Sequence, residues 1–228
     1  MEGKLYSKNR NTHRPFHLYS GSVYFLTGRC YEGKAYFKQV CAKQIFEKVL
    51  KQACERFEIK LFAWILLDNH YHLLFQLPTS TDFATRQSVT PHLSKRNDEM
   101  SEANFVSKNA SSKYNLVEFV RKIHKDSSRL LNKQNNTKSK KTWYQYWDYC
   151  IRNQPDFWQH FNYRVQQPLK HGIVNTLKAC YIYPYSSNPT WLQRFGIDGL
   201  SESFTKYSSQ RLDTTVIKYI CILKNKNN

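Results

Sequence analysis

No stretch of this 228-residue chain is apolar enough to cross a bilayer: the longest run, Leu61 to Leu67, falls far short of the roughly 20 residues that a spanning helix needs. The polar, basic start (Lys4, Lys8, Arg10, Arg14) does not lead into the apolar segment of about 7 to 15 residues that marks a secretory signal, so the expected location is cytoplasmic. The six cysteines (Cys30, Cys41, Cys54, Cys150, Cys180, Cys221) lack CxxC pairing and the density of a disulfide scaffold, and read as buried thiols rather than zinc ligands or bridges. Acid is the other scarcity. Against 35 Lys and Arg stand 17 Asp and Glu, a formal net charge of +18. Hydrophobic content of 40%, with 14 Phe, 16 Tyr and 5 Trp, is enough to build the core of one compact domain and argues against disorder throughout. The surplus positive charge therefore belongs to the surface, where it would attract a polyanion, nucleic acid before an anionic membrane.

Along the chain, Ser22 to Cys30 (SVYFLTGRC) is β-branched and aromatic between Gly21 and Gly33 and predicts a strand. From Gln39 to Phe57 the apolar residues Val40, Phe46, Val49, Leu50, Ala53 and Phe57 fall at helical spacing. The run Ile59 to Leu67, broken by Asp68 and Asn69 and resumed from His70 to Leu77, predicts a hairpin of two central strands. Thr79 to Lys113 is Ser-, Thr- and Asn-rich without sustained apolar period and is expected to be a polar insertion. Helical spacing returns at Leu116, Phe119, Val120, Ile123, Leu130 and Leu131, with Asn115 as an N-cap. Its charged side carries Arg121, Lys122, Lys125 and Arg129, which suits either a solvated face or nucleic-acid contacts, and the basic loop that follows ends in Lys140 and Lys141. Thr142 to Arg152 has the aromatic density of a strand, and Pro155 opens a second amphipathic stretch through Trp158, Phe161 and Val165 that Pro168 interrupts. The order β-α-β-β-α-β-α fits an α+β fold: a ferredoxin-like, split β-α-β antiparallel sheet with helices on one face. The expected domain covers residues 1–190, followed by a basic, polar tail over 191–228.

Two constellations could carry chemistry. In Asn69-His70-Tyr71-His72 the histidines sit two apart on a strand, so they project from one face at roughly 6.5 Å along it while Tyr71 points the other way. That spacing can offer two imidazoles to one divalent ion, and equally fits ring edges hydrogen-bonded within a sheet. About 90 residues on, Tyr163 and Gln167 are four apart and would share a helix face, with Pro168 placing Gln167 at the helix end.

These constellations, with the stretches HLYSGSVYFLTGRC, ILLDNHYHLLFQLP, NLVEFVRKIHKDSSRLLNK, WYQYWDYCIR, YRVQQPLKHGIV and YPYSS, make the chain resemble the REP-associated tyrosine transposases. These belong to the single-tyrosine HUH transposases, in which a His-hydrophobe-His strand meets a helix-borne tyrosine. The likeness runs from about His17 to Ser187. It implies that His70 and His72 hold a divalent metal, Mg²⁺ or Mn²⁺, that Gln167 supplies a third ligand, and that Tyr163 is the nucleophile. It further implies that single-stranded DNA beside a hairpin is cut to a 5′-phosphotyrosine with release of a 3′ hydroxyl and then rejoined, by a monomer or a homodimer. Arg121, Lys122, Lys125, Arg129, Lys140 and Lys141 would bind the DNA. Two departures stand out: Gln167-Pro168 replaces a common Asn-Pro, and Asp148-Tyr149 replaces a frequent Asp-His. Two rivals are a non-cleaving, domesticated nucleic-acid-binding protein on the same fold and a metal-dependent hydrolase with a water nucleophile, for which Asp68 is the only close carboxylate.

Overall fold

The computed structural model describes residues 21–79 and 116–207. The strands β1 (Val23–Cys30), β2 (Lys60–Leu66), β3 (His70–Gln76) and β4 (Trp143–Cys150) form one antiparallel sheet in the order β2-β3-β1-β4. The helices α1 (Val40–Arg56) and α2 (Leu116–Gln134) make the two crossovers, each connection skipping one strand, which is the split β-α-β arrangement. Both helices bury their stripes on one face of the sheet, Phe46, Leu50 and Ala53 from α1 and Phe119, Val120 and Ile123 from α2 packing with Tyr24, Leu26, Tyr71, Leu73 and Phe75. Gly28 lies in this layer because Tyr71 needs its space: a Cβ there would stand 2.2 Å from Tyr71 Cε1. The freed room lets Tyr71 Oη reach His124 Nε2 at 2.9 Å, while His124 stacks on Trp143.

Strand alternation sends Phe25, Ala63 and Leu74 to the opposite face, and that face is covered as well. The chain after β4 supplies the cover: α3 (Gln154–Val165), α4 (Gln167–Lys170), α5 (Leu177–Tyr181) and α6 (Asn188–Lys206). Asn153 caps α3 by accepting from Asp156 N at 2.9 Å, and Pro155 sits in its first turn. The helix stops at Val165 because Pro168 has no N–H to donate back to Arg164 O; Gln167, expected at the end of this helix, instead opens α4 after a turn at Gln166. The segment 185–187 then runs along the outer edge of β2, with Leu66 N donating to Tyr185 O at 2.9 Å and Ser187 N to Trp64 O at 3.0 Å. That closes one edge of the sheet against further pairing.

The boundary expected between domain and polar tail at residue 190 falls inside α6, and the expected tail is, as far as Lys206, a helix that packs Trp191, Leu192, Leu200 and Phe204 against Phe161 and its neighbours. The apolar residues are sparse, and Gly196 (φ 67°) kinks the helix between them, so no single 3.6-residue period runs through it. The polar stretch 79–113, Thr79 excepted, Asn115 and the chain beyond 207 lie outside the described residues. Cys30, Cys41, Cys54, Cys150 and Cys180 are all free thiols, and Cys30 and Cys180 are buried. No helix among the described residues is long and apolar enough to cross a membrane.

Candidate active site

Antiparallel pairing of β3 with β1 places His70 opposite Arg29 and His72 opposite Thr27, on the face that α3 and α4 cover. The two imidazole centroids are 5.1 Å apart at 83°, so the rings are edge to face. His72 is 2% exposed and lies against Phe25 and against the Tyr163 ring, whose centroid is 5.5 Å away. Gln167, also 2% exposed, donates from Nε2 to the Tyr163 carbonyl at 2.9 Å. This turns the acceptor side of its carboxamide to the imidazoles, where it favours their protonated forms, as an acceptor must.

That influence is overruled. Burial is the largest effect on both rings, lowering His70 to about 3 and His72 well below the usual imidazole range, with neighbouring histidines and the cations Arg29 and Arg164 acting in the same direction. Both rings are thus neutral at physiological pH, the state in which an imidazole nitrogen can ligate a metal.

Hydrogen bonding to Nδ1 orients each ring. Asn69 Nδ2 donates to Gly33 O at 3.1 Å, which fixes the amide so that Oδ1 faces His70 Nδ1 at 2.7 Å. An amide oxygen only accepts, so Nδ1 of His70 carries the proton and Nε2 the lone pair. Thr27 Oγ1 lies 2.8 Å from Nδ1 of His72, and Nε2 of His72 is buried with no hydrogen-bond partner. An orphaned, neutral, buried imidazole nitrogen beside a second oriented imidazole and a carboxamide suits a divalent ion with mixed nitrogen and oxygen ligands. Among the described residues no group of three or more His, Cys, Asp or Glu is placed to hold a metal; the Gln167 carboxamide lies beside the two imidazoles. Asp68, the close carboxylate that a hydrolytic site would draw on, is committed elsewhere through a 2.6 Å ion pair with Lys43.

The structure therefore brings His70, His72, Tyr163 and Gln167 together. It separates them from Arg121, Lys122, Lys125 and Arg129, which ride on α2 across the sheet; Arg121 pairs with Glu118, and Lys122 with Asp126 at 2.5 Å. Lys140 and Lys141 precede β4 at the end of the sheet that carries Arg29. Sequence reasoning passed over four neighbours of the site. His171 lies with its ring 4.7 Å from that of His70, Lys170 holds Nζ 4.7 Å from the Tyr163 ring centroid, and Thr27 and Asn69 orient the histidines. Asn69 abuts the His pair, and Lys170 and His171 come one residue after Gln167-Pro168, so proximity in the chain could have flagged three of the four. Thr27 needs the strand register. Tyr149, which replaces the frequent histidine of β4, stacks on His160 at 4.7 Å and donates to Asp156 at 3.1 Å.

An antiparallel α+β sheet carrying two oriented neutral histidines against a helix-borne tyrosine is the class that fold and site define together. No protein-family model matches the chain. A protein of Haemophilus influenzae named as a REP-associated tyrosine transposase is 27% identical over 144 residues, 62% of this chain and 66% of its own length, just under two thirds. A solved structure described as a REP-associated tyrosine transposase bound to a REP hairpin superposes with a TM-score of 0.52 at 18% identity, covering 83% of this chain and 87% of that one. The resemblance to the REP-associated tyrosine transposases thus holds in sequence and in fold.

Proposed function

We propose that this protein is a metal-dependent, single-tyrosine HUH transposase that cuts and rejoins single-stranded DNA next to a hairpin. The observation that carries this reading is the convergence of His70, His72 and Gln167 with Tyr163, whose ring is 5.5 Å from His72. Mg²⁺ or Mn²⁺ held by the two imidazoles and the carboxamide would act as a Lewis acid toward the scissile phosphate. Tyr163 Oη forms a bond to phosphorus, the bond from phosphorus to the 3′ oxygen breaks, the phenol proton is lost and the departing oxygen leaves as a 3′ hydroxyl. The 5′-phosphotyrosine conserves the bond energy, so a new 3′ hydroxyl can reverse the step without ATP. Burial and the packing of Phe25 hold the Tyr163 ring in one orientation, and Lys170 and Arg29 put positive charge beside a site that must receive a phosphate.

Tyr163→Phe tests the assignment, because it removes one oxygen and keeps the ring. With a labelled hairpin oligonucleotide and Mn²⁺, the wild type should give an adduct that survives a denaturing gel, and the variant should bind the DNA and give none. A wild type that binds hairpin DNA without any adduct would instead support the non-cleaving reading.

A further inference from the structure

At the end of the sheet where β1 leaves the site, the chain assembles a second set of aromatic and basic groups. Cys30 N donates to Asn69 O at 2.8 Å, so Tyr31, the next residue, begins a single turn of 3-10 helix (Tyr31–Gly33) beside the residue that orients His70. Tyr31 N donates to Thr142 O at 2.8 Å, and Asn132 Nδ2 donates to the carbonyl of Lys140 at 3.0 Å. Lys141 lies between these two anchored points. Its Nζ sits 4.3 Å from the Tyr31 ring centroid and 5.7 Å from that of Tyr144, and the two rings are 6.3 Å apart. Lys140 Nζ lies 5.2 Å from the Tyr36 ring. The register of β4 against β1 shifts between Gly28 and Cys30, and Tyr144 emerges there 47% exposed. Three of the other aromatics of the strand are otherwise engaged: Trp143 belongs to the core, Tyr146 packs against it, and Tyr149 is held by His160 and Asp156.

Exposed cation–π contacts stabilise a fold by only about 0.5 to 1 kcal/mol each, which is little return for presenting a large ring to water. The local charge points to an anion: Glu32 pairs with Lys34 and lies near Lys141, while Lys140 beside Tyr36 and Arg29 beside His70 add further positive charge. Rings to stack on, with cations beside them, match the chemistry of an unpaired nucleic-acid strand. We propose that Tyr31, Lys141 and Tyr144 form a platform on which the unpaired bases of the reacting DNA strand stack as it leaves the histidine pair. The platform rests on the cleavage reading above and adds the path of the strand. It also divides the work among the basic residues: those of α2 lie across the sheet, whereas Lys141 stands on the strand's route.

The test uses the full chain and two oligodeoxynucleotides, a hairpin with a single-stranded extension of about eight nucleotides and the same hairpin without it. Tyr144→Ala should weaken binding of the extended hairpin by about 5- to 150-fold, the range for losing one stacked base, and change binding of the blunt hairpin by less than about twofold. Tyr144→Phe should bind like wild type, and Lys141→Gln should flatten the log-log salt dependence by about 0.7 on the extended hairpin. Tyr144 is exposed, so its variants keep the melting temperature of the wild type, and Tyr144→Ala decides the matter even where Tyr31→Ala loses stability. Equal weakening on both oligonucleotides, no weakening on either, or a Phe variant as poor as the Ala variant overturns the platform while leaving wild-type adduct formation intact. A wild type that neither binds nor forms an adduct overturns the cleavage reading, and the platform with it.

Discussion

Thr27→Val is the sharpest probe of how the sheet prepares His72. The change replaces a hydroxyl by a methyl on the same β-branched frame, so strand geometry and packing are preserved. What it removes is the 2.8 Å hydrogen bond to Nδ1 of an imidazole that is 2% exposed. The bond itself is worth about 0.5 to 1.5 kcal/mol net, and leaving a buried nitrogen unpaired costs about 1 to 3 kcal/mol, so the fold should lose roughly 1 to 3 kcal/mol. The functional effect should be larger than that loss suggests. A metal bound through Nε2 requires the proton of His72 on Nδ1, where Thr27 Oγ1 is placed to accept it, and Nε2 is the ring nitrogen that is buried without a partner. Loss of such an orienting contact typically lowers metal affinity or activity about 10- to 100-fold. Adduct formation measured across a Mn²⁺ titration should therefore show half-saturation moved upward by that factor in Thr27→Val and restored in Thr27→Ser. An unchanged Mn²⁺ dependence in a variant that has lost the expected stability would show the bond to be packing alone and refute the reasoning.

Three further predictions concern metal, packing and pH. His70→Ala, His72→Ala or excess chelator should each stop adduct formation while hairpin binding persists in a gel-shift assay; full activity in chelator would overturn the ligand assignment. Gly28→Ala should cost about 1 to 3 kcal/mol, lowering Tm by roughly 2 to 12 °C, because the added Cβ meets Tyr71 at 2.2 Å and that ring is pinned by His124, Phe46 and Trp143. Burial lowers His124 to about 3, so the folded protein keeps this ring neutral while the unfolded chain protonates it near pH 6.5. The stability it contributes is complete above about pH 6.5 and is lost as pH falls from there toward 3, at up to about 1.4 kcal/mol per unit. Chemical denaturation at pH 6 and pH 5, above the carboxylate range, should show that slope reduced by up to one proton in His124→Phe; an unchanged slope would mean that the ring titrates freely in the folded state.

The sequence by itself determined the four strands, the first three helices and their order. β-Branched and aromatic density marked β1 and β4, a nearly continuous apolar run broken at Asp68-Asn69 marked β2 and β3, apolar spacing marked α1 to α3, and Pro168 marked the break after α3, because each of these signals is local. It also placed His70 and His72 on one strand face and Tyr163 near Gln167, for the same reason. The conjunction of the two sets is a tertiary result. It depends on α3 and α4 folding back over the second face of the sheet, a face that sequence reasoning left uncovered because α6 carries its apolar residues sparsely across a kink at Gly196. Thr27 illustrates the same limit. It lies 45 residues from His72, and only the antiparallel register of β1 with β3 brings its hydroxyl to Nδ1. The basic residues show the converse: Arg121, Lys122, Lys125 and Arg129 look equivalent to Lys140 and Lys141 by charge. It is the packing of α2 against the far side of the sheet that parts them from the site, since charge is a property of composition and direction is a property of the fold.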